Sequence, residues 1–332
     1  MAKTPTIYDV SEKAGVSTAT VSRVLNNPGK VNSVTRETVE NAIRELGYRP
    51  LLEARLRTAK DVRRICVCAP HFTANSFVQR LRGIAATFAG RNYELQVYSV
   101  ASKNHMDQFI EMLELNRMDG IITLSLPFTE EQIHRINMYQ IEMAMIEYSS
   151  PLVNCVVIND REGGRLAAEY LINKGRQRFG IACELSNRFD YSVYPIMPRL
   201  ESYREELDRH GFDLSERYIY DVLCDTDATY HKFLEVFRSG DYPDAIFATA
   251  DLHALGILRA AKETNVRVPE DVAVIGFDDI DFADYVGLTT IRQNLDQSGR
   301  IAADLLTNRM KDPSRPLQHV QLPLTIIERE TA

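Results

Sequence analysis

The feature that most constrains the fold is a regular alternation of two kinds of segment, which begins near Val62 and continues through most of the 332-residue chain. Short apolar runs such as 64–70 and 245–248 alternate with segments of ten or more residues whose apolar side chains recur at helical spacing. Parallel strands need a crossover connection, usually a helix, so this alternation predicts parallel sheets covered on both faces. Two such series, 62–158 and 162–310, predict two doubly wound lobes and a ligand cleft beyond the carboxyl ends of their strands.

The first sixty residues follow a different pattern, that of three short helices with almost no strand. Thr6 and Ser17 are placed to cap the first two helices, a tight turn at 14–16 separates these helices, and Ser33 starts the third. We expect the following apolar residues to face inward: Ile7, Val10 and Ala14 in the first helix, Val21, Val24 and Leu25 in the second, and Val34, Val39, Ile43 and Leu46 in the third.

The net charge of −7 for the whole chain conceals a difference in charge between the first sixty residues and the remainder. Residues 1–60 contain ten Lys and Arg against six Asp and Glu, a net charge of +4, which leaves −11 for the remainder. Attraction to phosphate depends on the local potential, and salt screens charges more than about 8 Å away. The asymmetry therefore indicates a small basic head, suited to double-stranded DNA, on an acidic body.

The second predicted helix presents polar residues near its start that are suited to reading DNA. Short side chains there let the backbone enter a major groove, while the Arg23 guanidinium can make two hydrogen bonds to a guanine edge. A plain three-helix bundle with a solvated surface is the simpler alternative, but the pattern extends over twenty residues. The residues expected on the outward side of this helix are Ser17, Thr18, Ala19, Ser22 and Arg23.

Several other classes of protein are excluded or disfavoured. No apolar run approaches the roughly 18 residues of a membrane span, and residues 1–5 lack the apolar core of a signal peptide, so we expect a cytoplasmic protein that contacts no membrane. Five scattered Cys include Cys66 and Cys68, which we expect to pack as small apolar residues. No metal, cofactor or enzymatic motif is indicated, because the chain has no glycine-rich phosphate loop, nucleophile elbow or His-Glu-x-x-His.

Residues 6–26, TIYDVSEKAGVSTATVSRVLN, resemble the head of the LacI/GalR (lactose-repressor) family of bacterial transcription regulators. The resemblance continues through 31–36 and 47–50 and into the body at 157–164, 274–279 and 288–293. It implies a helix-turn-helix head, a hinge helix and a two-lobed core related to periplasmic sugar-binding proteins. It also implies a homodimer on a palindromic operator, usually a repressor, whose affinity for DNA responds to a small-molecule effector held between the lobes.

The resemblance also assigns roles within the head. Thr18 and Ala19 lie where family members select operator bases, and their small side chains would shift specificity onto Arg23, thymine methyl groups and DNA deformability. Ser17, Ser22 and Arg23 match groove-contact positions, and Thr6, Tyr8, Asn26 and Thr35 match phosphate or groove contacts.

The hinge departs from the family pattern. The family carries Ala-Arg-x-Leu, whose leucine wedges into the minor groove, whereas this chain has Ala54, Arg55, Leu56 and Arg57. On a helix, this one-residue displacement rotates the apolar group by about 100°. Either the hinge rotates so that Leu56 wedges, or Arg57 reads a narrow minor groove instead, and the sequence leaves both open.

The effector positions are carried over in the same way: Asn75, Phe77 and Glu147 in the first lobe, Arg199, Asp251 and Asp278 in the second, and Gln293 near the boundary. Cys224 replaces an aromatic residue that often stacks on a sugar ring, and Ala250 replaces a frequent Asn. One cation and two carboxylates, Glu147 and Asp278, around a polar amide favour a neutral, hydroxyl-rich effector such as a sugar or sugar derivative over a polyanion. A nucleobase or a protein corepressor is the alternative.

The predicted domains are a head at 1–49, a hinge helix at 50–60, a first lobe at 61–161 plus 293–322, and a second lobe at 162–292 plus a C-terminal strand within 323–332. No heptad repeat follows the core, so we expect a dimer and not a tetramer. A solute-binding receptor would share the core fold, but the basic head and the lack of a signal peptide favour a DNA-binding regulator.

Overall fold

The computed structural model describes residues 6–26, 31–46, 62–70, 73–100, 102–116, 118–185 and 195–332. The chain divides into two compact units, Met1–Val62 and Arg63–Ala332, each of which is described by itself below. The predicted hinge helix, with Ala54, Leu56 and Arg57, lies outside the described residues.

The first unit contains three helices, α1 (Ile7–Ala14), α2 (Thr18–Asn26) and α3 (Ser33–Leu46). Thr6 caps α1 in a capping box, in which its hydroxyl accepts from the Asp9 backbone N–H and the Asp9 carboxylate accepts from the Thr6 backbone N–H. Gly15, at φ 64°, then ends α1 in the left-handed conformation that glycine adopts at little cost. The core of the unit consists of Val10, Val21, Val24, Val39 and Ala42, with Ile7, Ala14, Val16, Val31, Ile43 and Leu46 packed around them.

The prediction that Val34 faces inward is wrong, because its side chain is 73% exposed. Asn32 caps α3 by accepting the backbone N–H of Thr35 at 2.8 Å, so Val34 lies in the first turn. It is five residues before Val39, which places it about 140° away around the helix at 100° per residue. The helix therefore turns Val34 away from the core that Val39 occupies.

The second unit contains two six-stranded sheets. The first is formed by strands β1 (Arg63–Ala69), β2 (Tyr93–Ser99), β3 (Gly120–Leu124), β4 (Glu142–Ile146), β5 (Asn154–Val157) and β11 (His319–Gln321). Its order is β11-β5-β4-β3-β1-β2, and all of these pairings are parallel. The order reverses between β1 and β3, which places a topological switch point at their carboxyl ends.

The second sheet repeats this arrangement. Its strands are β6 (Phe179–Cys183), β7 (Ile219–Asp221), β8 (Ala245–Ala248), β9 (Ala273–Asp278), β10 (Thr290–Arg292) and β12 (Thr325–Ile327). The order is β12-β10-β9-β8-β6-β7, parallel except for the antiparallel pair of β10 and β12. The three-residue strands β7, β10 and β11 were not expected from the sequence, because so short a run shows no recognisable alternation.

Nine helices of the described second unit connect and cover these strands: α4 (Asn75–Phe88), α5 (Lys103–Leu115), α6 (Glu130–Met138), α7 (Asp160–Asn173), α8 (Ile196–Arg209), α9 (Thr226–Ser239), α10 (Asp251–Thr264), α11 (Asp281–Tyr285) and α12 (Leu295–Lys311). Helix α12 follows the second sheet in the chain but packs on α4 and on strands β3–β5 of the first. Cys66 and Cys68 are fully buried in the core of the first sheet, which confirms their predicted apolar role. The predicted fold class, a helical head followed by two lobes of parallel sheet, is confirmed; the domain bounds stay predictions.

Candidate nucleic-acid interface and interlobe site

Helix α2 exposes one side and buries the other. Ser17 caps it, because its hydroxyl accepts the backbone N–H of Thr20 at 3.2 Å, as the sequence predicts. Val21 and Val24 are buried against the rest of the unit. At 100° per residue, Ala19 and Arg23 point to the opposite side of the helix, and both are exposed.

The Arg23 guanidinium has no hydrogen-bond or ion-pair partner in the described part of the chain, so its five N–H groups are available to a ligand. Tyr8 is 72% exposed on α1. The other predicted contacts are less accessible: Thr18, Ser22 and Thr35 are half-buried, and the Thr6 hydroxyl is occupied by the capping box. The side chain of Asn26 lies outside the described residues.

A second group of polar residues lies between the two sheets of the second unit, beyond the carboxyl ends of their strands. Arg80 on α4 is only 2% exposed and forms an ion pair with Glu147, which follows β4. The same nitrogen of Arg80 donates to the Gln293 side-chain oxygen at 3.0 Å. Ser125, after β3, donates to the second oxygen of Glu147. A buried charge is tolerated only when it is paired and hydrogen-bonded, and these contacts meet that condition for Glu147.

The second lobe contributes a matching pair. Arg199 on α8 is 4% exposed and donates to the carboxylate of Asp160 at 2.8 Å and to the carbonyl of Thr249 at 2.9 Å. Its guanidinium also stacks on the ring of Phe277, 3.6 Å from the ring centroid, a cation–π arrangement. Arg199 is therefore fixed by ionic, hydrogen-bond and aromatic contacts together.

Gln293 joins the two lobes. Its side-chain oxygen accepts from Arg80 of the first lobe, and its side-chain nitrogen donates to Asp278, at the end of β9 in the second. We refer to Arg80, Glu147, Asp160, Arg199, Asp278 and Gln293 as the interlobe cluster. The predicted effector residues Glu147, Arg199, Asp278 and Gln293 are thus brought together.

Burial raises the pKa of two carboxyl groups of the interlobe cluster, those of Asp278 and Asp160. Desolvation raises the pKa of Asp278 to about 6, a shift that the nearby cations Arg199 and Arg80 oppose. Desolvation likewise raises the pKa of Asp160, with Arg199 opposing it and Glu147 adding to it. These two carboxylates therefore accept a proton more readily than exposed aspartates do.

The backbone around the cluster is strained. Five of the seven non-glycine residues with positive φ in the described chain lie at strand ends or turns beside it: Ser125 (54°), Glu147 (68°), Asp278 (121°), Asp279 (56°) and Asn294 (56°). Residues with side chains adopt such angles at a cost of order 1–3 kcal/mol each, and they concentrate at functional sites. The concentration of these angles beside the cluster makes the interlobe region the candidate functional site of the core.

Three predicted effector residues have other surroundings. Asp251 is fully buried inside the second lobe, where its carboxylate accepts the backbone N–H of Ile280 at 2.8 Å and the hydroxyl of Thr290 at 2.5 Å. Phe77 is 7% exposed in the core of the first lobe. Asn75 is the half-buried first residue of α4.

Arg80, Asp160 and Ser125 were not singled out from the sequence. Arg80 lies three residues after Phe77 and four before Ile84, both buried on α4, so the helical spacing itself was a signal that this arginine is buried. Asp160 belongs to a motif at 157–160 that carries the family resemblance, but no role was assigned to it. Ser125 has no comparable signal, because its position depends on how β3 ends.

Two cavities flank the first lobe. One of about 300 Å³ lies beside the interlobe cluster, with Gln79 and Arg82 of α4 on one wall and Asp278 on another. The other, of about 640 Å³, lies at the amino ends of the strands, where Arg63 and Glu142 line it. Among the residues that the structure describes, no group of three or more His, Cys, Asp or Glu is placed to hold a metal ion, and no helix has the length and apolarity of a membrane span.

Comparison with known proteins decides the family. Residues 6–50 match the family model described as bacterial regulatory proteins, lacI family, and residues 168–332 match a periplasmic binding protein-like domain. The transcriptional repressor PurR of Vibrio atlanticus (strain LGP32) is 30% identical over 332 residues, which cover 98% of this chain and 98% of the relative. The chain belongs to the LacI family. The predicted identification as a DNA-binding transcription regulator, and not an enzyme, is thereby confirmed.

Other members of the LacI family are similar over nearly the whole chain. The ribose operon repressor of Escherichia coli (strain K12) is 30% identical over 333 residues, 98% of this chain and 99% of the relative. A Lac repressor dimer bound to operator and the anti-inducer ONPF is 26% identical with a TM-score of 0.69, covering 99% of each chain. A complex of the regulator CelR with cellobiose is 27% identical with a TM-score of 0.68, covering 99% of this chain and all of the other.

Proposed function

We propose that this LacI-family regulator represses transcription in the cytoplasm by binding a palindromic operator as a homodimer, and that a neutral, hydroxyl-rich effector between its lobes changes its affinity for DNA. The observation that carries the proposal is the outward side of α2, where Arg23 is exposed and has no partner in the described chain, opposite the buried Val21 and Val24. Arg23 lies in the last turn of α2, later in the helix than expected, and an exposed arginine on a recognition helix can make a bidentate contact with guanine.

The DNA part of the proposal is tested by selecting sites from a pool of random duplexes with the full-length protein. The expected result is an inverted repeat, because a two-fold dimer reads two half-sites related by the same symmetry. A selected sequence without two-fold symmetry, or no enrichment at all, would contradict this part.

A row of exposed apolar residues supports the homodimer. Val78 on α4 is 52% exposed, and Phe282 and Tyr285 on α11 are 53% and 87% exposed. The two helices are neighbours, since Arg82, one turn after Val78, forms an ion pair with Asp281 at 2.7 Å. Exposed apolar patches that extend over two elements are typical of protein interfaces.

The dimer is tested by light scattering at decreasing protein concentration. Tyr285→Ser is expected to shift the monomer–dimer equilibrium toward the monomer by tenfold or more, since aromatic residues dominate interface energies. Leu115→Ser is the matched control, because Leu115 is 82% exposed at the end of α5, away from this row, and its loss should leave the equilibrium unchanged.

The charges of the interlobe cluster support a neutral effector. Three carboxylates surround two guanidinium groups, and each guanidinium is already paired with a carboxylate, Arg80 with Glu147 and Arg199 with Asp160. Asp278 is left with only the Gln293 amide as a hydrogen-bond partner in the described chain. A polyanion would be repelled by this arrangement, whereas a sugar hydroxyl can donate to Asp278. The ribose operon repressor and the CelR–cellobiose complex are relatives named for sugars, which adds support.

The effector part is tested by thermal-shift screening of sugars and nucleobases against the wild type and Asp278→Ala. A true effector should stabilise the wild type more than the variant, because ligand binding to the folded state adds to its stability. Equal stabilisation of both proteins would remove Asp278 from the site. A response to nucleobases alone would favour the alternative class.

A further inference from the structure

Arg80 is buried without full satisfaction of its hydrogen-bonding groups. Its guanidinium carries five N–H groups. One nitrogen, Nη2, donates to both Glu147 and Gln293. The Nε–H is buried and has no acceptor, and Nη1 makes no hydrogen bond to any residue that the structure describes. Three N–H donors of a residue that is 2% exposed are therefore unused.

Burying such an arginine lowers the stability of the folded state unless another group accepts hydrogen bonds from its free N–H groups. A buried donor without an acceptor costs roughly 1–3 kcal/mol, and more when the group is charged. The contacts of Nη2 with Glu147 and Gln293 hold the guanidinium in place. The buried Nε–H therefore lacks an acceptor within the described chain, and Nη1 is left to bind one from outside it.

The surroundings of Arg80 indicate where this acceptor would enter. Arg80 faces the second lobe through Gln293, whose side-chain oxygen accepts from Arg80 and whose side-chain nitrogen donates to Asp278. Its ion-pair partner Glu147 follows β4 of the first lobe. The unused donors of Arg80 and the carboxylate acceptor of Asp278 therefore lie near one shared side chain, that of Gln293.

We propose that Arg80 is a specificity-determining residue of the interlobe site, and that its unused N–H groups bind hydroxyl oxygens of a neutral polyol that donates to Asp278. This inference rests on the proposed function, since it concerns the same effector site. A hydroxyl both accepts and donates, so adjacent hydroxyls on one sugar ring satisfy the two sides together. The planar guanidinium favours two neighbouring oxygens, a geometry that an ammonium does not reproduce.

The same contact links the effector to both lobes. When a polyol oxygen accepts from Arg80, the guanidinium remains bound to Gln293, which in turn holds Asp278 of the second lobe. The ligand would therefore stabilise one relative position of the lobes. A ligand shifts an equilibrium only by its difference in affinity for the two states, and this chain of hydrogen bonds exists only when the lobes are close.

The test compares Arg80→Lys with the wild type by isothermal titration calorimetry, using D-ribose, D-glucose, cellobiose and adenosine as separate probes on the full-length protein. Lysine keeps the charge beside Glu147 but loses the Nε–H and the planar pair of donors. We expect the wild type to bind at least one sugar, and Arg80→Lys to bind it about tenfold or more weakly. Arg238→Lys is the matched control, because Arg238 lies in the last turn of α9, is 62% exposed and pairs with Glu263, and the sugar affinity of this variant should stay within about twofold of the wild type.

A second measurement changes the sugar instead of the protein. Mono-deoxy analogues of the bound sugar are titrated into the wild type, and at least one of them should lose affinity about tenfold, with no further loss when it is titrated into Arg80→Lys. If Arg80→Lys does not fold, the affinities of the wild type for the mono-deoxy sugars still show whether the protein binds neighbouring hydroxyls.

The outcomes separate this inference from the proposed function. Equal sugar affinity of the wild type and Arg80→Lys would show that the sugar does not accept hydrogen bonds from Arg80. This result would overturn the inference. Binding of no sugar, with operator binding intact, would overturn the polyol class and the inference while leaving the DNA-binding regulator in place. If the wild-type protein selects no operator from the pool of random duplexes, the proposed function itself is refuted.

Discussion

Two arginines in this molecule lie in opposite surroundings. In the head, Arg23 is exposed and has no partner in the described chain. Between the lobes, Arg80 is 2% exposed and bound to Glu147 and Gln293. An exposed arginine contributes little until a ligand arrives, whereas a buried one must be paired from the moment the chain folds. The head can therefore change its binding residues at little cost in stability, and the interlobe site cannot.

The largest effect in this comparison is expected when a buried ion pair is broken. Arg199→Met removes the buried cation of the pair, leaves the half-buried Asp160 without its partner, and should lower the free energy of unfolding of the second unit by about 3 kcal/mol. Urea denaturation followed by circular dichroism measures this. Arg161→Met is the control, since Arg161 is 47% exposed beside Glu201 and should cost less than about 1 kcal/mol. If both variants lose a similar free energy of unfolding, burial does not determine how much these arginines contribute to stability.

Arg23→Ala should leave the stability unchanged and weaken binding to the selected operator by about 1–3 kcal/mol. The reason is that Arg23 lacks a partner within the described chain, so only the contact with a base is removed. Fluorescence anisotropy with operator and with random duplex separates the two kinds of contact. An equal loss on both duplexes would show that Arg23 binds phosphate and does not read a base. Arg36→Ala, an exposed arginine of α3, serves as the control for a general loss of charge.

The third effect depends on pH. Folding raises the pKa of Asp278 to about 6, so the folded state binds a proton at a pH where the unfolded chain does not. The cost of the buried charge is fully present above the folded pKa of about 6 and decreases as the pH falls from there toward the pKa of the unfolded chain. Between pH 7 and pH 5 the wild type should therefore gain roughly 1 kcal/mol of stability relative to Asp278→Asn. Urea denaturation of both proteins at the two pH values measures this difference. If the free energy of unfolding changes equally with pH in the two proteins, burial does not raise the pKa of Asp278.

The smallest effect concerns the position in the head where the sequence prediction was wrong. Val34→Ala should change the stability of the first unit by less than about 0.5 kcal/mol, because the side chain is 73% exposed. Val39→Ala, a matched truncation on the same helix, removes a fully buried side chain and should cost about 2 kcal/mol. Hydrogen exchange of the α3 amides in the full-length protein compares the two. Equal loss of protection would place Val34 in an interface that its exposure does not reveal.

The amino-acid sequence alone determined the features that depend on neighbours along the chain. The Ser17 cap, the turn at Gly15 and the buried Val21 and Val24 follow from local hydrogen bonding and from the helical period, so the head was predictable almost residue by residue. Strand and helix alternation determined the two parallel sheets for the same reason. The family motifs added Arg199 and Asp278, whose positions at α8 and the end of β9 are set by those elements.

Tertiary structure decided which of these residues work together. Arg80 is buried because α12, more than 200 positions later in the chain, packs closely on α4, with Gly83 and Gly299 allowing the approach. Gln293 links the lobes because the chain passes from the second sheet back to the first beside it. Asp251 matches the family pattern in sequence, yet its carboxylate binds Ile280 and Thr290 within one lobe. The pairing of side chains depends on contacts between distant segments, and no local pattern of residues records it.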